Sequence, residues 1–333
     1  MTEIILEMAR LFMPSANEYR NLSGSHNKVY CVSGNNEIVL RFSAKRYKTF
    51  TDVMGEVHFK NYLAANKVLL DAPIPDCNGN FVAEVDFFGE LHYVTAFQMS
   101  RGLNFMEREP DGKDLYVAAG KEIGKIHALS RRYTPDTKYC RNQWNNSRHM
   151  SKIEEILRSK RPELMEAYYL FLKEMNKLPK KKDEFGLIHG DFFFANFLSL
   201  DSSAVVIDFD ECEYSWYLYD VAVCMYYQLI GPEPLKVSLK CEEAKKLFSW
   251  LMEGYCTKNT IERFMLEKMD LFFKLRDFVL LSTILDNDLT GKWQNDLVTS
   301  ACDRIINDKP LVDVNFADEY MKFENGKILT QAL

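Results

Sequence analysis

The sequence predicts an α+β protein with two unequal lobes, a small β-rich lobe at residues 1–98 and a larger, mainly helical lobe at residues 99–333. Three observations support this organisation. Short β-type runs dominate the first hundred residues, and helical spacing of apolar residues dominates after about Gln98. The length of 333 residues also exceeds one average domain of ~150 residues. A hydrophobic content of 47% is enough to form a core in each lobe.

The small lobe is predicted to contain a helix, a β-hairpin, a second helix and a second β-hairpin. Charged residues interrupt the apolar amino terminus, which is typical of an amphipathic helix. Turn-forming sequences, SGNN at 33–36 and Phe88-Gly89, separate the strands of the two hairpins. The predicted elements are a helix at 1–13, strands at 28–32 and 37–42, a helix at 52–66, and strands at 81–87 and 90–97.

The larger lobe is predicted to be helical, with one β-structured insertion. Apolar residues recur at helical spacing in 114–130, 151–176, 216–230 and from about 234 to the carboxyl end. Two compact β-like runs, 186–189 and 204–209, interrupt these helices, and we expect them to pair as a hairpin. Polar side chains that follow the two runs would then converge at one end of the hairpin.

Charge and apolar patterning argue against a nucleic-acid partner and against a membrane protein. The formal net charge is −6, whereas proteins that grip many phosphates usually carry a basic surplus. The longest apolar segment, 278–285, is shorter than the ~18 residues of a membrane span, and the charged amino terminus is unlike a secretion signal. Eight scattered cysteines without a CxxC pair favour a reducing, cytoplasmic environment.

Three polar residues within 186–211 indicate a metal-dependent active site. The sequence His-Gly-Asp at 189–191 follows the first β-like run and ends in Asp191, Asn196 comes shortly after it, and Asp208 ends the second run. Two aspartates and an asparagine around one point offer hard oxygen ligands suited to Mg²⁺. One of the carboxylates would remain available as a base beside the metal.

The runs HGDFFFAN at 189–196 and VVIDFD at 205–210 resemble the catalytic and metal-binding segments of the aminoglycoside phosphotransferase and choline kinase family. This resemblance implies a protein-kinase-like fold and an ATP- and Mg²⁺-dependent kinase, with GTP as an alternative nucleotide. It also implies that Asp191 orients the acceptor hydroxyl and accepts its proton. Asn196 and Asp208 would hold Mg²⁺ on the nucleotide phosphates.

Supporting roles are implied for three further residues. His189 would fix the catalytic turn as a hydrogen-bonded structural residue, with a general-base role as the alternative. Asp220, on the predicted helix 216–230, would brace the same turn. Asp210 stands where protein kinases have glycine, so it either contributes to a second metal or faces solvent.

The resemblance also implies where the nucleotide binds. Small residues in the loop before the first hairpin would let backbone N–H groups approach phosphate oxygens. Arg41 stands where the family has lysine, and it would pair with Glu56 on the next helix while keeping the positive charge. A hinge between the lobes, residues 95–99, would hydrogen-bond adenine through its backbone. The residues assigned to the nucleotide are Gly24, Ser25, His26, Asn27, Arg41, Glu56, Ala96, Phe97, Gln98 and Met99.

The acceptor is predicted to be a small molecule that carries a hydroxyl group. Only a short segment separates Asp208 from Asp220 and no APE sequence follows, so there is no room for the activation loop on which protein substrates dock. Carboxylates together with Trp and Tyr side chains would suit an amine-bearing alcohol. The candidate acceptor residues are Asp210, Glu213, Trp216, Tyr217, Arg276 and Asp286.

Two alternatives to a small-molecule kinase stay open. The arginine at position 41 is compatible with a nucleotide-binding regulatory protein that has lost turnover, although the intact metal and catalytic residues argue against it. A Ser/Thr protein kinase with a minimal substrate platform is the other alternative. The resemblance implies that specificity is set in the variable helical tail, so the sequence does not distinguish amino alcohols, aminoglycosides, homoserine and sugar-like acceptors.

Overall fold

A computed structural model describes residues 2–22, 27–104, 112–230 and 237–321. The helices are α1 (Thr2–Phe12), α2 (Phe50–Ala65), α3 (Lys113–Ser130), α4 (Ile153–Lys160), α5 (Met165–Met175), α6 (Tyr217–Ile230), α7 (Val237–Tyr255), α8 (Arg263–Leu266), α9 (Met269–Asp286) and α10 (Lys292–Ile306), and residues 316–321 are also helical. The strands are β1 (Glu18–Asn21), β2 (Lys28–Ser33), β3 (Glu37–Ala44), β4 (Pro73–Ile74), β5 (Val82–Asp86), β6 (Leu91–Gln98), β7 (Leu103–Asn104), β8 (Phe185–Ile188), β9 (Phe197–Leu200), β10 (Ser203–Val206) and β11 (Glu213–Trp216).

The small lobe is built on a six-stranded antiparallel sheet in the order β1-β2-β3-β6-β4, with β5 also paired to β6. Strands β2 and β3 form the first predicted hairpin and β5 and β6 the second, so both predictions are confirmed. Because β3 pairs with β6, Arg41 lies opposite Thr95 in the middle of the sheet. Helix α2 begins after a capping box in which Thr49 and Asp52 satisfy each other's backbone N–H groups.

Two hydrophobic cores organise the molecule. The smaller core joins α1 to the sheet and contains Ile5, Leu40 and Val94. The larger core joins the helices and short strands of the second lobe and also includes Phe59 and Leu63 of α2. Helix α2 therefore lies between β3 and β4 in the chain but packs on the helical lobe. A small antiparallel sheet beside a larger helical part confirms the predicted α+β class.

The β-structured insertion of the helical lobe is paired differently from the prediction. Strand β8 pairs with β11 and β10 pairs with β9, so the expected hairpin between 186–189 and 204–209 is wrong. The physical reason is that a short helical turn, Phe194–Asn196, leads straight into β9, which offers β10 an adjacent antiparallel partner. The polar residues still converge, because the Ile207 N–H donates to the Asn196 carbonyl at 2.9 Å.

The helical segment predicted at 151–176 is interrupted. Helix α4 ends at Lys160 and α5 begins at Met165, with Pro162 between them. Proline lacks an N–H donor and disfavours helical backbone in the residue before it, which ends α4. Among the helices in the described part of the chain, none has the length and apolar character that a membrane crossing requires. All eight cysteines are free thiols.

Candidate active site

A buried aspartate from α6 holds the turn that follows β8. The carboxylate of Asp220, which has no exposed surface, accepts hydrogen bonds from the backbone N–H groups of His189 at 2.9 Å and Gly190 at 2.8 Å. Gly190 has a φ of +82°, and a Cβ there would lie 2.3 Å from the carbonyl oxygen of Glu211, so only glycine fits. The turn therefore presents the next residue, Asp191, in one fixed direction.

A chain of buried polar groups in turn holds Asp220. His127 Nε2 lies 3.0 Å from Asp220 Oδ2, and His127 Nδ1 lies 3.0 Å from the hydroxyl of Tyr255, which accepts from the Asn259 amide at 2.8 Å. Burial lowers the pKa of His127 despite the opposing effect of Asp220. The ring is therefore neutral, donates its Nε2 proton to Asp220 and accepts the Tyr255 proton at Nδ1. His127 supports the turn from within the core.

Both ring nitrogens of His189 are occupied by the backbone. The Asp191 N–H donates to His189 Nδ1 at 3.2 Å, so the proton resides on Nε2, which donates to the Ile207 carbonyl at 3.0 Å. These two bonds tie the catalytic turn to the segment that precedes Asp208. A histidine with no free acceptor nitrogen is placed as a structural residue and not as a general base.

Asp191 lies in the cleft with its carboxylate held from two sides. The side-chain amide of Asn196 donates to the Asp191 carbonyl oxygen at 2.9 Å and to Oδ2 at 3.0 Å. The other carboxylate oxygen, Oδ1, accepts a hydrogen bond from the guanidinium of Arg276 on α9. Each carboxylate oxygen has two lone pairs, so the group is fixed in orientation and can still accept a proton from a hydroxyl.

Asp208 and Asn196 are the candidate metal ligands. Asp208 has a left-handed backbone, φ +61°, which costs about 1 kcal/mol for a residue other than glycine, and its side chain is 55% exposed in the cleft. Enclosure by the cleft and repulsion from Asp210 raise the pKa of Asp208. A carboxyl group with a raised pKa is costly to ionise without a counter-ion, so it is suited to pairing with a divalent cation. Asn196 uses its amide nitrogen on Asp191, which leaves its side-chain oxygen for a ligand role.

The metal would need ligands beyond these side chains. Among the described residues, no group of three or more His, Cys, Asp or Glu side chains is arranged around one point as a metal centre. An aspartate and an amide oxygen fit Mg²⁺, which usually takes one or two carboxylates and completes its octahedral shell with substrate phosphates and water.

Arg41 forms a buried ion pair with Glu56 of α2. Its Nη1 donates to Glu56 Oε1 at 3.0 Å and its Nη2 to Oε2 at 2.5 Å. Although burial opposes ionisation of both groups, the pair raises the pKa of Arg41 and lowers that of Glu56. Nη1 also lies 3.6 Å from Asp210 and 3.9 Å from Asp208. The guanidinium therefore links α2 to the candidate metal ligand.

Asp210 is surrounded by positive and amide groups that no sequence motif revealed. Lys48 Nζ lies 2.9 Å from the Asp210 carbonyl oxygen and 3.2 Å from Oδ2, and the Asn27 amide donates to the same Oδ2 at 3.2 Å. Arg141 donates to the Asp210 carbonyl at 2.8 Å. Asp210 thus joins Asn27, just before β2, to the segment that carries the candidate metal ligand Asp208. Asp210 is buried, so the alternative that it faces solvent is wrong.

A second buried cation beside Glu56 is Lys60 of α2, which has no exposed surface. Its ammonium lies 2.9 Å from Asp71, 3.9 Å from Glu56, and 3.8 Å from the centre of the Phe97 ring. Lys60 balances Asp71 in the wall of the cleft and adds a second positive charge beside Glu56. This network keeps the arginine pair and the hinge strand β6 in one rigid arrangement.

One cavity of about 500 Å³ extends from the hinge to α9. Phe97, Gln98 and Met99 line the end predicted to bind the nucleotide, whereas Ala96 belongs to the core of the small lobe. The other apolar residues at this end are Leu22, Val29, Val39, Leu198 and Ile207. The predicted phosphate-loop residues Gly24, Ser25 and His26 lie outside the described residues, and Asn27 lines the cavity.

The acceptor end lies between the catalytic turn, α6 and α9. Three of the six residues predicted for the acceptor line the cavity, Glu213 and Arg276 at this end and Asp210 beside Arg41. Side chains at this end that the sequence did not identify are Ser147, His149, Phe193, Tyr219, Tyr227, Val279, Leu280 and Thr283.

The other three residues predicted for the acceptor lie away from the cavity. Trp216 is fully buried against Trp144, because alternation along β11 turns it into the core opposite to Glu213. Tyr217 is buried and stacks on His127 with ring centres 4.7 Å apart. Asp286 is at the end of α9 and pairs with Lys152 at 3.2 Å. The expected Trp and Tyr contacts to an amine are therefore not available from these positions.

A small antiparallel sheet above a helical lobe, with a braced aspartate between them, defines a phosphotransferase of the protein-kinase-like class. Residues 19–239 match the phosphotransferase enzyme family (APH), and the chain belongs to that family. The family predicted from 189–196 and 205–210 is thereby confirmed, and with it a kinase that acts on small molecules.

Known relatives extend over nearly the whole chain. The amicoumacin kinase of Bacillus subtilis (strain 168) is 22% identical over 321 residues, which is 95% of each protein. The structure of amicoumacin kinase hAmiN in complex with AMP-PNP, Ca²⁺ and Ami superposes with a TM-score of 0.84 at 20% identity, covering 95% of this chain and 96% of that one. The structure of a microcompartment-associated aminopropanol kinase superposes with a TM-score of 0.73 at 21% identity, covering 93% of this chain and 98% of that one. These likenesses confirm the fold.

Proposed function

We propose that this kinase transfers the γ-phosphoryl group of ATP to a hydroxyl of a small molecule, with Mg²⁺ held by Asp208 and Asn196. The observation that carries the proposal is the fixed carboxylate of Asp191, which shares one cavity with Asp208 and with the hinge. Residues 1–98 supply most of the nucleotide side of that cavity. Residues 99–333 supply the catalytic turn and the acceptor end.

Positioning and charge neutralisation account for the chemistry. Asp191 accepts the proton of the acceptor hydroxyl as the hydroxyl oxygen bonds to the γ-phosphorus, and the bond from that phosphorus to the bridging oxygen breaks to release ADP. When bound, Mg²⁺ supplies positive charge to the phosphate oxygens. Arg41 adds a fixed positive charge there, because Glu56 holds its guanidinium in place.

The nucleotide and the acceptor are both open to a direct screen. The assay measures ADP or GDP release and transfer of label from γ-labelled ATP or GTP, with Mg²⁺ and after chelation of Mg²⁺. Its acceptor panel contains amicoumacin, 1-amino-2-propanol, spectinomycin, other aminoglycosides, choline, homoserine and sugars. We expect label on one small acceptor, with ATP and with Mg²⁺ required. Transfer to a denatured protein mixture and to no metabolite would instead indicate a protein kinase.

The first variant removes the base without changing the size of the side chain. Asp191→Asn should lower kcat with the acceptor found in the screen by at least about 10³-fold, within the range of general-base effects, while the Kd for ATP changes little. Asp286→Asn makes the same chemical change at an exposed position outside the cavity and should keep full activity. Turnover of Asp191→Asn at the wild-type rate would reject the mechanism. Nucleotide binding by the wild type without transfer to any acceptor would indicate a regulatory protein.

A further inference from the structure

Arg276 places a positive charge beside the carboxylate that the acceptor hydroxyl must reach. It projects from α9 into the acceptor end of the cavity, with only 5% of the residue exposed. Its Nη2 donates both to Asp191 Oδ1 and to the hydroxyl of Tyr227, and its guanidinium carbon lies 4.9 Å from the centre of the Tyr227 ring. The cation is therefore held in place before any acceptor binds.

The carboxylates at the same end do not offer a free negative charge to a cationic acceptor. Asp191 is bonded to Arg276 and Asn196. Glu211 lies 3.5 Å from His149 Nε2 and 3.9 Å from Arg148. Burial and the charge of Glu211 raise the pKa of Glu213 to about 8, so this carboxyl is largely protonated at neutral pH.

An apolar and aromatic surface forms much of the remaining wall at this end, beside the polar side chains of Ser147, His149 and Thr283. Phe193 packs on Tyr227 with ring centres 4.3 Å apart, and Val279 and Leu280 line the cavity one turn of α9 beyond Arg276. Such a wall suits an uncharged part of the acceptor. The acceptor end therefore combines an apolar surface with one fixed cation next to the base.

We propose that Arg276 selects the acceptor by the charge of the group beside the reacting hydroxyl. The carbon that adjoins the carbinol carbon carries an oxygen acceptor, as an amide or a carboxylate, and an acceptor with an ammonium at that position is rejected. The guanidinium has five N–H donors. The two bonds above both leave from Nη2 and Tyr219 takes a third interaction, so two donors remain for an acceptor oxygen. An ammonium has only donors and would face a like charge. This inference rests on the proposed phosphotransfer function.

Three small acceptors of similar size test the charge directly. Lactamide, lactate and 1-amino-2-propanol share a secondary hydroxyl and differ only in the neighbouring group, which is an amide, a carboxylate or an ammonium. The assay is kcat/KM for ADP release and for labelled product with wild type, Arg276→Gln and Arg276→Lys.

The matched control is Arg304→Gln. Arg304 of α10 bonds Asp277 and Tyr226, the residues that adjoin Arg276 and Tyr227 in α9 and α6, and it does not line the cavity. The control removes a partly buried arginine that bonds α9 and α6, without changing the charge at the acceptor end. Any change common to both glutamine variants reflects helix packing.

We expect wild type to prefer lactamide or lactate over 1-amino-2-propanol by at least tenfold in kcat/KM. Arg276→Gln should bring this ratio to near one, chiefly through a higher KM for lactamide, Arg276→Lys should keep part of it, and Arg304→Gln should leave it unchanged. The proposal is overturned if wild type accepts 1-amino-2-propanol as well as lactamide, if it accepts none of the three, or if Arg276→Gln lowers all rates equally. If any of these contrary results is found while another acceptor of the wider panel is phosphorylated, only the proposed role of Arg276 is rejected. If no acceptor at all is phosphorylated, the proposed function fails.

Discussion

The brace of the catalytic turn can be tested by exchanging one atom in Asp220. In Asp220→Asn the side chain keeps its size but replaces one carboxylate oxygen by an NH₂ group. Three donors, the backbone N–H groups of His189 and Gly190 and the Nε2–H of His127, end on the two oxygens of Asp220. At least one of these buried donors then faces another donor.

The expected cost follows from counting these bonds. A hydrogen bond to a charged group contributes about 1.5–3 kcal/mol, and a buried donor left without a partner costs about 1–3 kcal/mol. One lost bond and one unsatisfied donor should lower the free energy of unfolding by roughly 3–5 kcal/mol. Because the same turn carries Asp191, and a displacement of about 1 Å can cost about 10²-fold in rate, we expect kcat to fall by a similar factor.

Urea unfolding and ADP release with the identified acceptor are the assays. Asp303→Asn is the matched control, since Asp303 is exposed and bonds the exposed Lys309. The control should change the free energy of unfolding by no more than about 0.5 kcal/mol. If Asp220→Asn unfolded at the same urea concentration as wild type and kept its kcat, the brace would have no energetic role.

Two further predictions concern buried charges of the cleft. Arg41→Met leaves Glu56 buried with Lys60 as its only neighbouring cation, which should lower the free energy of unfolding by about 3–5 kcal/mol. Arg41→Lys keeps the positive charge and should lower the free energy of unfolding by less. Equal urea midpoints for the two variants would contradict this expectation. Glu213 has its pKa raised to about 8 by burial and by Glu211, so the folded state binds more protons than the unfolded state between about pH 4.5 and 8, and stability falls as pH rises through this window. Glu213→Gln should remove this loss of stability, so its free energy of unfolding at pH 8 should exceed that of wild type by up to about 5 kcal/mol, at 1.36 kcal/mol per pKa unit. If the variant showed the same pH dependence of urea unfolding as wild type, this role of Glu213 would be refuted.

The sequence identified the catalytic segment because its chemistry is local. His189, Gly190 and Asp191 are consecutive, Asn196 is one short turn away, and the glycine is required by a left-handed backbone at a close approach to Glu211. Such constraints act on neighbouring residues, so they leave a recognisable pattern. The pairing of the strands around this segment could not be predicted from local sequence. The partner of β8 is β11, which is distant in the chain, and tertiary packing brings the two strands together.

The acceptor end shows the opposite case. Composition favoured Trp216 and Tyr217 as wall residues, yet both are buried in the core, because the alternation of β11 and the start of α6 decide which side chains face the cleft. Tyr227, His149 and Lys48 belong to no motif and are far apart in the chain. They become neighbours of the site only when the helices pack.

By itself, the sequence determined the two-lobed α+β class, the family and the aspartates of the cleft, because each depends on periodicity or on short contiguous motifs. Only the tertiary structure decided which charges meet. It placed Arg276 on Asp191, Lys60 behind the Arg41–Glu56 pair and Lys48 on Asp210. Electrostatic interactions of this kind act through distance in space and not through distance along the chain, so these charge contacts of the cleft appear only in the folded protein.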